Sequence, residues 1–254
     1  MCTLVLAWRV FDGTPIAVAA NRDEALDRPS RPPRVLDDGA EGGDRPQVVA
    51  PRDEAAGGTW LGYNDAGLFV AVANRRTDVE GERSRGLLVR EALGHASAAE
   101  ASSFVRNELG GRAYAGFNLV VADASEATLF EWDGVLRTTH FDPGVHVVVE
   151  AGHDATAPKA SRVHDAVAPV PETTADEWFD RAADVMADHD LGVCVHGPEF
   201  GTRSSSLLGL DADGGARYWF ADGRPCETDY ELVEVEREEH DRPANSRDEP
   251  DGHM

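Results

Sequence analysis

Residues Cys2–Glu24 read CTLVLAWRVFDGTPIAVAANRDE. The first part, Cys2–Val10, is a short aliphatic run with little polar content, the pattern of a buried strand. Asp12-Gly13-Thr14-Pro15 is turn chemistry, because Gly and Pro favour the backbone conformations of a reversal. Ile16–Ala20 is a second aliphatic run, so the two arms pair as an antiparallel hairpin. The end of that hairpin returns Asn21-Arg22-Asp23-Glu24 toward Cys2. A thiol and four polar residues are therefore expected together at one end of a buried sheet.

Outward from this hairpin, residues 27–56 are rich in Pro, Gly, Asp and Arg and predict a long loop, of a length uncommon in compact domains unless it serves function. Gly58–Tyr63 and Leu68–Asn74 predict a hairpin across Asn64-Asp65-Ala66-Gly67. Ser84–Gly94 and Ser97–Leu109 predict helices, the second opened by Ser97 with Glu100 three residues on, a capping-box pattern. Phe117–Ala122, Ala127–Trp132 and Val145–Val149 predict strands. Thr174–Asp188 predicts a helix capped by Thr173 or Thr174. Arg203–Leu210 and Arg217–Phe220 predict a last hairpin, with Glu231–Val235 as an added edge strand. Residues 1–235 thus form one domain, and the polar, unpatterned residues 236–254 form a disordered acidic tail. Hairpins dominate and βαβ alternation is missing, so the fold class is α+β, antiparallel sheets layered with grouped helices.

Composition narrows the function classes. The formal net charge is −23, from 47 acidic and 24 basic residues, and Lys159 is the only lysine. A disordered acidic chain is poor in apolar residues, whereas this one is 41% hydrophobic, so a folded core under an acidic shell is expected. Such a shell is screened by salt and looks like the surfaces of halophilic proteins. It argues against a nucleic-acid partner, because phosphate binding needs a basic face. No apolar run approaches the ~18–20 residues of a membrane span. Leu4-Val5-Leu6-Ala7 runs into Trp8-Arg9 rather than forming a secretory signal, so a cytoplasmic protein is expected. The three cysteines, Cys2, Cys194 and Cys226, show neither CxxC nor Cys/His zinc spacing, and no disulfide framework or metal is expected. Oligomeric state leaves no signal in this sequence.

Cys2 is the cysteine whose position is informative. If Met1 is removed, Cys2 carries both a thiol and a free α-amine, whose pKa near ~7.7–8.0 leaves a useful neutral fraction at pH 7. That amine can act as general base toward its own side chain. An arginine nearby favours thiolate, and a carboxylate can orient the amine, which makes Arg22, Asp23 and Glu24 candidates. The alternative for these residues is a solvated polar loop with an internal Arg–Asp pair. Asn74 ends a strand, where its amide is either a donor to a developing oxyanion or a turn residue. Asn118 is expected to be a structural hydrogen bonder. The stretch Gly201-Thr202-Arg203-Ser204-Ser205-Ser206 either binds an anion or anchors its hairpin.

Taken together, Met1-Cys2-Thr3-Leu4, Ala20-Asn21-Arg22-Asp23-Glu24, Gly58-Thr59-Trp60-Leu61-Gly62, Arg85-Gly86, Gly116-Phe117-Asn118-Leu119 and Gly201-Thr202-Arg203-Ser204-Ser205 resemble, in this order, the NRDE-domain family. That family includes the eukaryotic transport-and-Golgi-organisation proteins, and the match covers about residues 1–220. The resemblance implies a four-layer αββα sandwich like that of the N-terminal-nucleophile hydrolases, most similar to the cysteine branch of bile-salt hydrolases and penicillin V acylases. Carried onto this chain, it implies Cys2 as nucleophile, with Arg22, Asp23 and Glu24 in support. It implies Asn74 as oxyanion donor, and Asn21, Trp60 and Arg203 around the substrate. Two departures stand out. Arg22 and Asp23 are neighbours, which the acylases do not show. Upstream of Pro158-Lys159, where many members carry a Ser-Asn pair, this chain reads Val149-Glu150-Ala151-Gly152, and a glutamate there opposes an oxyanion. Lys159 or Arg162 supplies positive charge nearby.

Three readings follow. The first is an amidohydrolase acting on carbon–nitrogen bonds other than peptide bonds of a small-molecule substrate, without a cofactor. The second is a non-catalytic carrier of haem or acyl and lipid ligands, with Cys2, His146 or His153 as candidate iron ligands. The third is a globular protein in which Cys2 is structural.

Overall fold

The opening hairpin forms, and its second arm is longer than the apolar pattern indicates. In the computed structural model, which describes residues 2–36 and 46–235, the chain begins with strands β1 (Thr3–Phe11), β2 (Thr14–Ala25), β3 (Ser30–Val35), β4 (Val48–Asp53), β5 (Leu61–Asn64) and β6 (Phe69–Asn74). Helices α1 (Arg85–Ala92) and α2 (Ala98–Gly111) follow. Strands β7 (Phe117–Ala122), β8 (Ala127–Trp132), β9 (Leu136–His140), β10 (Gly144–Val149) and β11 (Gly152–His153) come next. Helices α3 (Pro158–Val167) and α4 (Ala175–Met186) precede β12 (Phe200–Leu210), β13 (Ala216–Ala221) and β14 (Glu231–Leu232).

The strands form two antiparallel sheets, ordered β11-β10-β1-β2-β12-β13-β14 and β3-β4-β5-β6-β7-β8-β9. Alternation along each strand sends side chains to opposite faces. Leu4, Leu6 and Trp8 of β1 face inward and meet Phe69, Ala71 and Ala73 of β6 between the sheets. Val5 and Ala7 face outward and pack beneath α3 and α4, against Val163, Trp178 and Ala182. Val70 and Val72 pack on the far side, beneath Leu88 and Val89 of α1 and Val105 of α2. The result is the αββα sandwich. Central strands buried on both faces carry continuous apolar runs, which is why β1 reads without polar punctuation. Each fully buried Leu, Val or Phe contributes roughly 1.5–3 kcal/mol before chain entropy is counted.

Four expectations are corrected. Asn21–Glu24 do not follow the second strand but lie inside β2, because β12 pairs along all of it, from Leu210↔Ile16 to Phe200↔Ala25. The loop expected over 27–56 contains β3 and β4. Strand β3 hides its character behind Pro32 and Pro33, which sit at the irregularity between Arg31 and Arg34 on the sheet edge, where a missing N–H is tolerated. Helix α3 was not expected: it has few apolar residues, but Ala160, Val163 and Val167 share one face, and Pro158 occupies its first turn. Strand β9 is an exposed edge with no apolar alternation. The tail expected at 236–254 and the middle of the 27–56 segment, 37–45, lie outside the described residues.

Candidate active site

Cys2 enters the sheet at the mouth of β1. Thr3 faces Asn21 on one side and Val149 on the other, so the register sets Cys2 between Arg22 of β2 and Glu150 at the end of β10. Cys2 is 9% exposed and belongs to the apolar core between the sheets. A pocket of about 310 Å³ opens over it, lined by Arg22, Asp23, Glu24, Trp60, Asn74 and Arg85 among others. Of the eight residues singled out from sequence, Cys2, Arg22, Asp23, Glu24, Asn74 and Trp60 thus meet at one site.

Arg22 is buried and held on two sides. Its guanidinium carbon lies 4.2 Å from the centre of the Trp60 ring, a cation–π contact, and Nη2 lies 3.4 Å from Asp53 Oδ2. Arg28 Nε donates to the same oxygen at 2.7 Å, while Asp53 Oδ1 accepts the Ala55 and Ala56 main-chain N–H groups at 3.0 Å each. Burial works against ionisation of Asp53, but the Arg28 hydrogen bond, the Ala56 amide and the charges of Arg28 and Arg22 hold its carboxyl below the usual range. Burial pulls the Arg22 pKa down, though an arginine keeps its charge.

Arg85, at the start of α1, is a second cation near the thiol, since its charge and that of Cys2 influence each other. Its Nη1 donates to Gly116 O at 2.9 Å. This wall is placed by two glycines. A Cβ on Gly58 would sit 2.2 Å from the Gly86 carbonyl carbon, so only glycine lets the segment before Trp60 pass over the first turn of α1. Thr59 N–H closes the contact on Gly86 O at 3.0 Å.

The Cys2 thiol is pushed up by burial and by the Asp23 carboxylate. The Asp23 main-chain N–H and the Arg22 charge act the other way and do not prevail. The surroundings thus favour the thiol form of Cys2 over the thiolate. Asp23 is itself pushed up to about 6, first by burial; Thr202 Oγ1 donating at 2.7 Å and the Lys159 charge oppose this, and Glu150 adds to it. Lys159, carried by α3, and Glu150 thus both act on the Asp23 carboxyl, and among the described residues Lys159 Nζ and Glu150 Oε2 are buried without hydrogen-bond partners. Glu24 lines the pocket but is occupied locally, accepting from Ala25 N–H at 2.9 Å and lying 3.9 Å from Arg28.

Two of the eight residues lie off the pocket wall. Asn21 faces the helix layer, where Nδ2 donates to Met186 O at 2.8 Å and Val193 O at 3.0 Å. Arg203 sits at the irregularity of β12, and its guanidinium holds the main-chain oxygens of Leu26 and Arg28. Asn118 is a structural bonder: its Nδ2 donates to Val149 O at 2.7 Å, tying one sheet to the other. Neither candidate iron-ligating histidine lines the pocket. His146 has both ring nitrogens engaged, by Asp154 at 2.9 Å and Asp142 O at 2.8 Å, and His153 Nδ1 lies 3.8 Å from Glu131. Sequence reasoning missed Asp53 and Arg28, noted Arg85 without a role, and noted Thr202 only within the 201–206 stretch, not as a partner of Asp23. Asp53 stood in a segment expected to be loop, with no local signal that it would anchor Arg22.

Among the described residues no helix is long and apolar enough to cross a membrane. The family model described as Transport and Golgi organisation 2 matches residues 1–220. The chain is similar to the Transport and Golgi organization protein 2 homolog of Homo sapiens, 26% identical over 251 residues, covering 80% of this chain and 87% of that protein. The Bos taurus homolog is 25% identical over 249 residues, with the same coverage. Among solved structures, a mutant of the conjugated bile acid hydrolase from Clostridium perfringens superposes with a TM-score of 0.50 at 12% identity, covering 94% of this chain and all of that one. The Caenorhabditis elegans ortholog of N-acylethanolamine-hydrolyzing acid amidase gives 0.51 at 10% identity, covering 82% and 92%. The chain therefore belongs to the Transport and Golgi organisation 2 family and has the fold of the N-terminal-nucleophile hydrolases.

Proposed function

We propose that this protein is a cysteine N-terminal-nucleophile amidohydrolase that cleaves a non-peptide amide of a small molecule. The observation that carries the reading is the placement of Cys2: a buried thiol on the wall of a pocket that also holds Arg22, Arg85 and Asn74. A protonated thiol needs a base. The α-amine that Met1 removal frees on Cys2 is that base, with a pKa near ~7.7–8.0.

The neutral amine takes the thiol proton, and sulfur attacks the amide carbonyl carbon. The carbonyl electron pair moves onto oxygen, for which the Asn74 side-chain amide is the proposed donor, and the Arg22 and Arg85 charges favour the developing anion. The tetrahedral species collapses, breaking the carbon–nitrogen bond, and the ammonium returns its proton to the leaving amine. Water then cleaves the thioester with the amine again as base, releasing the acid and restoring Cys2. Asp23 and Lys159 fix the charge around the amine. A pocket of about 310 Å³ is at the small end of ligand sites, which fits a small head group with the rest of the substrate outside. The structural relatives named as a conjugated bile acid hydrolase and an N-acylethanolamine-hydrolyzing amidase support the bond type.

The test is a panel of N-acyl amides of small amines, assayed by release of free amine. Protein from which Met1 has been removed is expected to turn over at least one acyl class, and Cys2→Ala to abolish it. Turnover that survives Cys2→Ala, or that proceeds with Met1 retained, sinks the reading.

A further inference from the structure

A second cluster of reactive side chains lies away from the pocket. His189, Cys194 and His196 come from the segment after α4, and Cys226 from the turn after β13. Their nearest ligand atoms all lie within 4.8 Å of one another. Cys194 Sγ is 3.4 Å from Cys226 Sγ, and His196 Nε2 is 3.1 Å from Cys226 Sγ and 3.6 Å from Cys194 Sγ. None of the four lines the Cys2 pocket.

We infer that His189, Cys194, His196 and Cys226 bind one thiophilic divalent cation, zinc by its chemistry, in a closed tetrahedral site. The spacing carries the argument. Metal–sulfur bonds of about 2.3 Å and metal–nitrogen bonds of about 2.0–2.1 Å put the ligand atoms of a tetrahedron roughly 3.3–3.8 Å apart. Three of the four ligand atoms already stand near those separations, and His189, exposed at the rim with its ring edge-on to His196, supplies the fourth. Two thiolates and two imidazoles in this geometry select zinc over the oxygen-loving cations. Behind His196, Glu227 Oε1 lies 3.9 Å from Nδ1, the position of the carboxylate that commonly orients a metal-bound histidine.

The ligands are held by backbone, not by chance proximity. Cys194 N–H donates to Asp188 O at 2.9 Å, and Val195 and Thr202 exchange Val195 N–H to Thr202 Oγ1 and Thr202 N–H to Val195 O, both at 2.9 Å. A Cβ on Gly201 would sit 2.6 Å from Val195 O, so glycine is what lets this segment close on β12. Binding breaks two S–H bonds, forms two metal–sulfur bonds and sends two protons to solvent, with no electron transferred. With four protein ligands and no open position, the site is structural. It clips the segment after α4 to the turn after β13. The same segment receives Asn21 through Val193 O, and its Val195 pairs with Thr202 of β12, which donates to Asp23, so the clip braces β2 from behind the pocket.

The test is cobalt titration of the full-length, fully reduced protein, read by the thiolate-to-cobalt charge-transfer band and the visible d–d bands. One equivalent of Co²⁺ is expected to give both, zinc to displace it, and Cys2→Ala to leave the spectrum unchanged. Cys226→Ser is expected to remove most of the charge-transfer band. His196→Ala keeps both thiols and is expected to weaken binding and alter the d–d bands. Far-ultraviolet circular dichroism of each metal-free variant checks that it is folded. A reduced wild-type chain with no cobalt–thiolate band overturns the inference. So does a band of undiminished intensity in folded Cys226→Ser, or one lost in folded Cys2→Ala.

Discussion

Cys2 and the Cys194–Cys226 pair are thiols of one chain in two unlike surroundings. Around Cys2 stand two arginines, Arg22 and Arg85, and a carboxylate, Asp23, beside an open pocket. Around Cys194 and Cys226 stand histidines, with His196 Nε2 within 3.6 Å of both sulfurs, and neither cysteine lines the pocket over Cys2. Both Cys2 and Cys194 are raised by burial, Cys194 to about 11, with the neighbouring Cys226 adding to it. Burial alone therefore does not separate a nucleophile from a ligand. The partners do: cations and a cavity suit attack on a carbonyl, whereas nitrogen and sulfur at tetrahedral spacing suit a metal.

The largest effect expected is on catalysis. Cys2→Ala should lower amide turnover roughly 10⁴-fold or more, whereas Cys226→Ser should leave the chemistry within about tenfold, because it acts only through the frame. Steady-state kinetics on one substrate would break the comparison if the two variants behaved alike.

Next is the anchor of Arg22. Arg22 is 4% exposed and Asp53 12% by side chain, so Asp53→Ala leaves a buried cation without its carboxylate and should cost about 3 kcal/mol by urea unfolding. The neighbouring Arg31–Glu54 pair is far more exposed, at 54% and 35%, and Glu54→Ala should cost less than about 1 kcal/mol. Equal costs would contradict the view that the Cys2 pocket is built on a buried ionic frame.

A third effect depends on pH. The Asp23 carboxyl is raised from 3.8 to about 6 in the folded chain, so between these values the folded state binds more protons than the unfolded state. Its contribution therefore weakens the fold as pH rises through that window, by on the order of 2–3 kcal/mol, and is absent below it. Asp23→Asn should flatten this part of the stability curve between about pH 4 and 6, measured by urea midpoints. A variant curve parallel to that of the wild type would assign the slope to other groups.

Much of the site was legible because it is local. Cys2 and Arg22–Glu24 lie on the two arms of one hairpin, and Trp60 and Asn74 on the next. What pattern reasoning lost depends on distant pairing. Asn21–Glu24 looked like the polar end of a strand because nothing nearby shows that β12, about 180 residues on, continues the ladder. Asn21 and Arg203 carry side chains suited to ligands, but the pleat and the irregularity of β12 turn them to the helix layer and to the turn after β2. Asp53 was hidden at the end of β4, in a Pro-rich segment that pattern reasoning reads as loop. The His189–Cys226 cluster has no spacing signal, because two loops 30 residues apart supply it only once the sheet is formed. The four layers, by contrast, follow from apolar runs long enough to be buried on both faces.

The most direct test of the central claim is the intact mass of the natively processed protein before and after a thiol-reactive acyl probe, with the adduct mapped by peptide. The account predicts loss of Met1 and one adduct on Cys2, with Cys194 and Cys226 unmodified while metal is bound. Retained Met1 with an unreactive Cys2, or an adduct only on Cys194 or Cys226, would contradict it.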